Sequence, residues 1–385
     1  MNKKNAICML CMLKNHYVVG ACIAAFAHKS LIYSHNLDID VIVMCDEYIY
    51  DKYKHTLKFY FDKVIKINLI KVNTETDKNL FDEKSKEYYN NKYSWLNYSL
   101  NKWQCLKYVK YEKILFIDVD IIPVSEKLYD IFTFNTPAFL LYEKSNILPP
   151  CKNNDALINF LKNINSYGEY TDLLNKYKKS VGPDGGFLLL KPNKNHYDKY
   201  MEFIDDVLKK NHNTIPGIGI DESTIMYFYA KVMDVPIYRI CYNYNHIPWK
   251  FSKNYYMITE KDDIYSYNYL SRIKPWLKTK FMSWNEEWIW RDLYKIMMKT
   301  KMFNNAYKKY ILNEIDEYKK SKNGNQYNRS YYDELVNKTI EFNDITMLEK
   351  KLIHDDKNYG VLNKNNVKNL FDSIIKYKRH RESNI

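Results

Sequence analysis

The run Lys113-Ile-Leu-Phe-Ile-Asp-Val-Asp-Ile-Ile-Pro123 constrains this chain more than any other stretch. Its apolar part, Ile114 to Ile117, is short, rich in β-branched and aromatic residues, and preceded by a helix-like segment, which is the pattern of a buried strand. Asp118 and Asp120 follow two positions apart, so in an extended backbone both carboxylates project from the same face. Two desolvated carboxylates that close repel each other unless one takes up a proton or a cation lies beside them. Oxygen-only ligation suits Mg²⁺ or Mn²⁺, and those ions in turn suit a diphosphate. A plainer use also fits the tripeptide: two strand-end aspartates capping the next turn.

On either side of this run, strands and helices alternate. Residues 6–13, Ile39 to Met44 and Lys63 to Asn68 read as strands. Val18 to Ser34, with alanines near helical spacing, and residues 51–61 read as helices. After Pro123 come a helix-like Lys127 to Phe132 and a strand at Ala138 to Tyr142, then a polar, irregular stretch, 144–180, that reads as an insertion over the active face. Such alternation implies an α/β fold with a mainly parallel central sheet flanked by helices. Ligands of such sheets bind at the carboxyl ends of the strands, near the point where strand order reverses. Tyr17 follows the first strand and Asp118 and Asp120 follow a later one, so one crevice can hold all three.

Other positions carry two readings each. Residues 94–110 read as a helix with one apolar stripe through Leu96, Leu100 and Trp103 and another through Trp95, Lys102 and Leu106. Lys102 is the odd member: either a surface lysine snorkelling to water or a cation aimed at a phosphate or sugar. In Gly182-Pro-Asp-Gly-Gly-Phe187, the glycines allow a tight bend or the close approach of a ligand to the backbone. Asp221 opens a helix, where capping alone would favour a carboxylate. Tyr242-Asn-Tyr-Asn-His246 is either a cleft lining or an ordinary polar loop. Lys274 is held extended by the proline after it.

Composition adds limits rather than identity. The net charge of +13 arises from 59 basic residues interleaved with 46 acidic ones, and no stacked-aromatic or helix-turn-helix signature accompanies it, so a nucleic-acid partner is not expected. Of the seven cysteines, most lie in apolar surroundings, and Cys8-Met-Leu-Cys11 lacks a second pair that would complete a zinc site, so free thiols are expected. The apolar run Ile7 to Leu13 is short for a signal peptide, and no uninterrupted apolar stretch reaches membrane length, so a cytoplasmic chain without a transmembrane segment is expected. The alternation of strands ends near Trp284. Residues 1–284 are therefore expected to form the main domain and 285–385 a helical C-terminal extension, serving either to bind a partner or to cover that domain.

Taken in order, these segments resemble glycosyltransferase family 8, the glycogenin-like and galactosyltransferase-like enzymes of GT-A fold. The resemblance covers residues 6 to about 276. Tyr17-Val-Val-Gly20 is similar to the family's first nucleotide-contacting turn, Lys102 to a lysine that contacts the donor, and Phe116-Ile-Asp-Val-Asp120 to its metal-binding strand. Asp184-Gly-Gly186 stands where the family often has Asn-Ser-Gly, and Asp221-Glu222 where it has Asp-Gln, the pair nearest the donor sugar. Lys274-Pro-Trp276 is similar to the terminal Lys-Pro-Trp, whose lysine meets the diphosphate. Two positions depart from the pattern: Asn268 stands where a metal-binding histidine is usual, with His246 as a conceivable substitute, and Ser271 replaces a glycine.

The resemblance implies a retaining hexosyltransferase that takes glucose or galactose from a UDP-sugar and passes it to a glycan or protein acceptor. It implies Mn²⁺ or Mg²⁺ on Asp118, Asp120 and Asn268, donor contacts from Tyr17, Lys102, Asp118, Gly186 and Lys274, and catalytic roles for Asp184, Asp221 and Glu222. A homo-oligomer is compatible with it. The competing expectation is a catalytically degenerate module that binds sugar nucleotides or glycans, which the changes at Asn268 and Ser271 favour.

Overall fold

The computed structural model describes residues 4–14, 16–72, 94–141, 152–156, 161, 163–176, 183–209, 220–247, 264–269, 293 and 364–383. Its centre is a seven-stranded sheet. In chain order the strands are β1 (Asn5–Cys11), β2 (Ile39–Cys45), β3 (Lys63–Lys66), β4 (Ile114–Ile117), β6 (Ala138–Leu141), β7 (Pro183–Leu190) and β8 (Tyr238–Ile240). Their spatial order is β3-β2-β1-β4-β7-β6-β8. β7 runs antiparallel to both β4 and β6, while every other pairing is parallel. The fold is thus α/β with a mostly parallel sheet, as the alternation of elements predicts.

Both faces of the sheet are covered, which explains why its strands read as near-continuous apolar runs. Residues alternate between the two sides with period two: Ile7, Met9, Val41, Val43, Leu115 and Ile117 pack into one cluster, and Ala6, Cys8, Ile42, Met44, Ile114 and Phe116 into the other. The first cluster is closed by helices α1 (His16–Ser34) and α2 (Glu47–Tyr60). The second is closed by a 3-10 helix (Ser94–Lys107) and by α3 (Tyr167–Lys176), α4 (Lys194–Lys209) and α5 (Ile220–Tyr227), the last continuing into a π-helical turn, Phe228–Val232. A separate antiparallel pair joins β5 (Ile121–Pro123) to β9 (Ser266–Asn268).

A last helix, α6 (Lys364–Ser383), returns to α1. Leu370, Ile374 and Tyr377 join the first core cluster, with the Tyr377 ring 5.7 Å from Phe26 and 5.6 Å from Tyr33. Most of the region 285–363 lies outside the described residues.

The structure corrects several sequence expectations. The irregular stretch 144–180 contains α3, whose Tyr167, Tyr170 and Leu174 are buried on one face. Residues 94–107 wind as a 3-10 helix, with the Asn101 side chain pinned to Ile70 by bonds to its N–H and its carbonyl, at 2.9 and 2.8 Å. Among the described residues α1 alone is long and apolar enough to cross a membrane, and 78% of that window is buried inside the protein, as a core helix would be. Cys8 and Cys11 lie three apart in one strand and so face opposite clusters, which rules out a joint site for the pair. Both are free thiols, as are Cys22, Cys45 and Cys105, and burial pushes all five well above the usual thiol range. Cys241 instead is disulfide-bonded, contrary to the expectation of free thiols.

Candidate active site

Strand order reverses at β1, with β2 on one side and β4 on the other. The carboxyl end of β4 opens beside that point, and Asp118 is its first residue beyond the ladder. The ladder is extended by one further bond, from the Asp118 N–H to the Gly186 carbonyl at 2.9 Å. Because Ile114 and Phe116 face the second cluster, Asp118 continues toward the 3-10 helix and α5. Asp120 does not follow it in an extended strand. Residues 118–121 form a turn closed by the Ile121 N–H on the Asp118 carbonyl at 3.2 Å, which corrects the expectation that period-two geometry aligns the two carboxylates. Asp120 is buried, and its carbonyl accepts the Tyr269 N–H at 3.0 Å, so the turn brings it beside β9.

β7 supplies the other side. Its register against β6 slips between Phe139 and Leu141, an irregularity that covers the segment holding Asp184, Gly185 and Gly186 and re-aims what that segment carries. The glycines make no bend, contrary to one of the two expectations; they stand within a strand and leave space for charged side chains. A Cβ on Gly185 would lie 2.8 Å from Glu222 Cγ, Glu222 Oε1 and Lys102 Nζ. A Cβ on Gly186 would lie 2.6 Å from Asp118 Oδ2 and 3.2 Å from Asp184 Oδ1. Four functional side chains, Glu222, Lys102, Asp118 and Asp184, therefore converge on two adjacent Cα atoms.

Lys102 is the cation among them. It is only 6% exposed, donates to the Gly185 carbonyl at 2.9 Å, and pairs with Asp221 Oδ2 at 3.1 Å, which corrects its reading as a snorkelling surface lysine. Burial alone would lower its pKa, but the charges of Asp221, Asp118 and Glu222 outweigh that and hold the ammonium above its usual range. Asp221 and Glu222 both come from the first turn of α5, which packs on β7 and on the 3-10 helix. Glu222 Oε1 accepts the Gly185 N–H at 3.1 Å. Part of Glu222 remains open to solvent, yet burial of its carboxyl, with the negative charge of Asp221 next, pushes its pKa up to about 8 against the pull of Lys102.

Asp184 is oriented through both oxygens: Oδ1 accepts the Gly186 N–H at 2.8 Å and Oδ2 accepts Asn245 Nδ2 at 3.1 Å. Asn268 pairs with Ile121 across β5 and β9, so it is one ladder rung from Asp120. Its Oδ1 is buried without a hydrogen-bond partner. Among the described residues no group of three or more His, Cys, Asp or Glu side chains is arranged to hold a metal ion. Asp118, Asp120 and the Asn268 amide would together offer a hard, all-oxygen set, which fits Mg²⁺ or Mn²⁺. His246 lies on the side of β9 away from β5, its N–H on the Ser266 carbonyl at 3.0 Å and its carbonyl on the Asn268 N–H at 2.7 Å. Burial lowers its imidazole to about 3.

Tyr17 sits half-buried at the start of α1, its ring 4.3 Å from that of His16. Lys274 and Ser271 lie outside the described residues. Asn245 is the participant that sequence reasoning did not single out. It belonged to a polar stretch already flagged as a cleft lining, but its contact with Asp184 spans 61 positions and leaves no local signal.

No sequence model of a known family matches the chain. It is 23% identical over 277 residues to the uncharacterised protein R707 of Acanthamoeba polyphaga mimivirus, a match spanning 68% of this chain and 79% of that one. Among solved structures it is similar to the apo form of the glycosyltransferase GlyE of Streptococcus pneumoniae TIGR4, with TM-score 0.43 and 15% identity, covering 80% of this chain and 64% of that chain. The chain thus spans just under two thirds of the GlyE chain's length. It is also similar to the galactosyltransferase LgtC in complex with donor and acceptor sugar analogues, with TM-score 0.44 and 13% identity over 78% of this chain and 99% of that one. A third similar structure is mouse xyloside xylosyltransferase 1, with TM-score 0.40 and 12% identity over 69% of this chain and 97% of that one.

Proposed function

We propose that this chain is a GT-A-type retaining glycosyltransferase that moves a hexose, glucose or galactose, from a UDP-sugar to a glycan or protein acceptor. The observation that carries this reading is the convergence of Asp118, Asp184, Lys102 and Glu222 on Gly185 and Gly186, beside the point where strand order reverses. The family resemblance of the same residues supports it. Asp118, Asp120 and Asn268 would hold Mn²⁺ or Mg²⁺, which when bound supplies a Lewis acid to the departing diphosphate. Lys102, fixed by Asp221 and Gly185, contributes positive potential at the same end of the sheet, and Lys274 is proposed to add to it. Asp184 and Asp221 orient the sugar and offset positive charge developing at its anomeric carbon. Glu222 stands where the family has glutamine. Its Oε1 accepts the Gly185 N–H, and its raised pKa favours the acid form, whose O–H can donate as one N–H of an amide does.

Titration of UDP into the protein with Mn²⁺, with Mg²⁺ or with EDTA tests the reading. Metal-dependent binding that Asp120→Ala abolishes is expected. Binding that is indifferent to both EDTA and the substitution would overturn the metal role, and no binding under any condition would overturn the nucleotide-sugar reading.

A further inference from the structure

Resting on the transferase function proposed above, we propose that Asn245 is a specificity-determining residue: its Oδ1, beside the Asp184 carboxylate, receives a hydroxyl of the transferred hexose. Asn245 is fully buried and follows the 3-10 turn Tyr242–Tyr244, with its own N–H on the Tyr242 carbonyl at 3.2 Å. Its amide orientation is determined by chemistry. Asp184 Oδ2 only accepts, so the group 3.1 Å from it must be the NH₂, and the oxygen must point elsewhere. That oxygen is buried without a hydrogen-bond partner. A buried acceptor left unsatisfied is destabilising, a cost recovered when a donor arrives.

The kind of donor follows from the neighbours. Asp184 is held by Gly186 N–H on one oxygen and by Asn245 on the other, so the pair presents one charged and one neutral acceptor in fixed orientation. Two adjacent acceptors of this sort match the O–H donors of a pyranose. A neutral ligand fits the amide oxygen better than a second cation, because Lys102 already supplies positive charge within the same cluster. The link from Asp184 through Gly186 to Asp118 places the pair on the donor side of the reaction. A site built to bond a hydroxyl rejects the analogue that lacks or misdirects it, since its buried acceptor is then left unpaired.

The test compares equilibrium binding of UDP, UDP-glucose and UDP-galactose, each with Mn²⁺, by wild type, Asn245→Ala and Asn245→Ser. The expected result is UDP affinity within about twofold of wild type in the variants, while the extra affinity of the preferred sugar nucleotide over UDP falls by about tenfold or more. The preference between the two hexoses narrows at the same time. A residue that only props up the fold would weaken UDP and UDP-sugar alike, so the ratio distinguishes the two roles. Should Asn245→Ala fail to fold, the serine variant carries the same comparison, and thermal melting of both shows which is folded. An unchanged ratio in a folded variant overturns the inference while leaving the transferase reading intact, and so does wild type showing no extra affinity for any sugar nucleotide over UDP. Wild type that binds neither UDP nor any sugar nucleotide overturns the transferase reading itself.

Discussion

Replacing Lys102 by methionine removes the cation that pairs with Asp221 in this carboxylate cluster. Lys102 and Asp221, the latter 1% exposed, lie 3.1 Å apart, so solvent screens them little. Methionine keeps the packing volume of the stem but loses the ion pair and the bond to the Gly185 carbonyl, and it leaves Asp221 charged beside Asp118 and Glu222. Removing one partner of a buried pair costs about 3–5 kcal/mol, which is a fall in melting temperature of roughly 4–6 °C for a chain of this size. In wild type the folded-state pKa of Lys102 is raised, so its contribution is fully present below the ordinary lysine range and fades only as pH climbs through the higher folded value. In the methionine variant the stranded carboxylates have raised pKa values instead, so its deficit should shrink as pH falls toward 5. Adding Asp221→Asn should recover about 2 kcal/mol or more of the loss, seen as coupling in a double-mutant cycle read by chemical denaturation. A loss below about 1 kcal/mol with the two changes simply additive would refute the claim that these groups form one electrostatic unit.

Three other outcomes follow from the same geometry. Because the Glu222 pKa is raised in the fold, its ionisation opposes folding, and stability is lost as pH rises between the ordinary carboxyl value and about 8; Glu222→Gln should therefore raise the melting temperature more at pH 8.5 than at pH 5. Gly186→Ala places a Cβ 2.6 Å from Asp118 Oδ2, so the carboxylate must turn away; circular dichroism should show a retained fold while Mn²⁺ affinity drops at least tenfold. Tyr377→Ala removes a buried ring from between Phe26 and Tyr33 and should cost about 3 kcal/mol in denaturant unfolding, which would show that α6 belongs to the core it covers.

The sheet was legible in the sequence because its central strands are buried on both sides. β1, β2 and β4 therefore read as mostly apolar runs whose ends fall within two residues of those expected, whereas β7 begins at Pro183, within a stretch that reads as a turn. The placement of Asp118 after a strand was legible for the same reason. The turn at 118–121 was not, since apolar Ile121 and Ile122 make the run look extended across it. α3 was missed although Tyr167, Tyr170 and Leu174 carried a helical spacing, because the polar residues around them masked it. The role of Lys102 was hidden for a different reason: what buries it is Asp221, 119 positions away, and no local pattern reports a partner so distant. Likewise the glycines at 185 and 186 announced a need for space but not which side chains would occupy it.

The most direct measurement of the proposed chemistry is release of UDP from a panel of UDP-sugars, with candidate acceptors present, in Mn²⁺, Mg²⁺ or EDTA. Turnover of one UDP-hexose that needs the metal and disappears in Asp118→Asn is the predicted result. Tight donor binding with no UDP release from any sugar under any condition would contradict it and leave a sugar-nucleotide-binding module in its place.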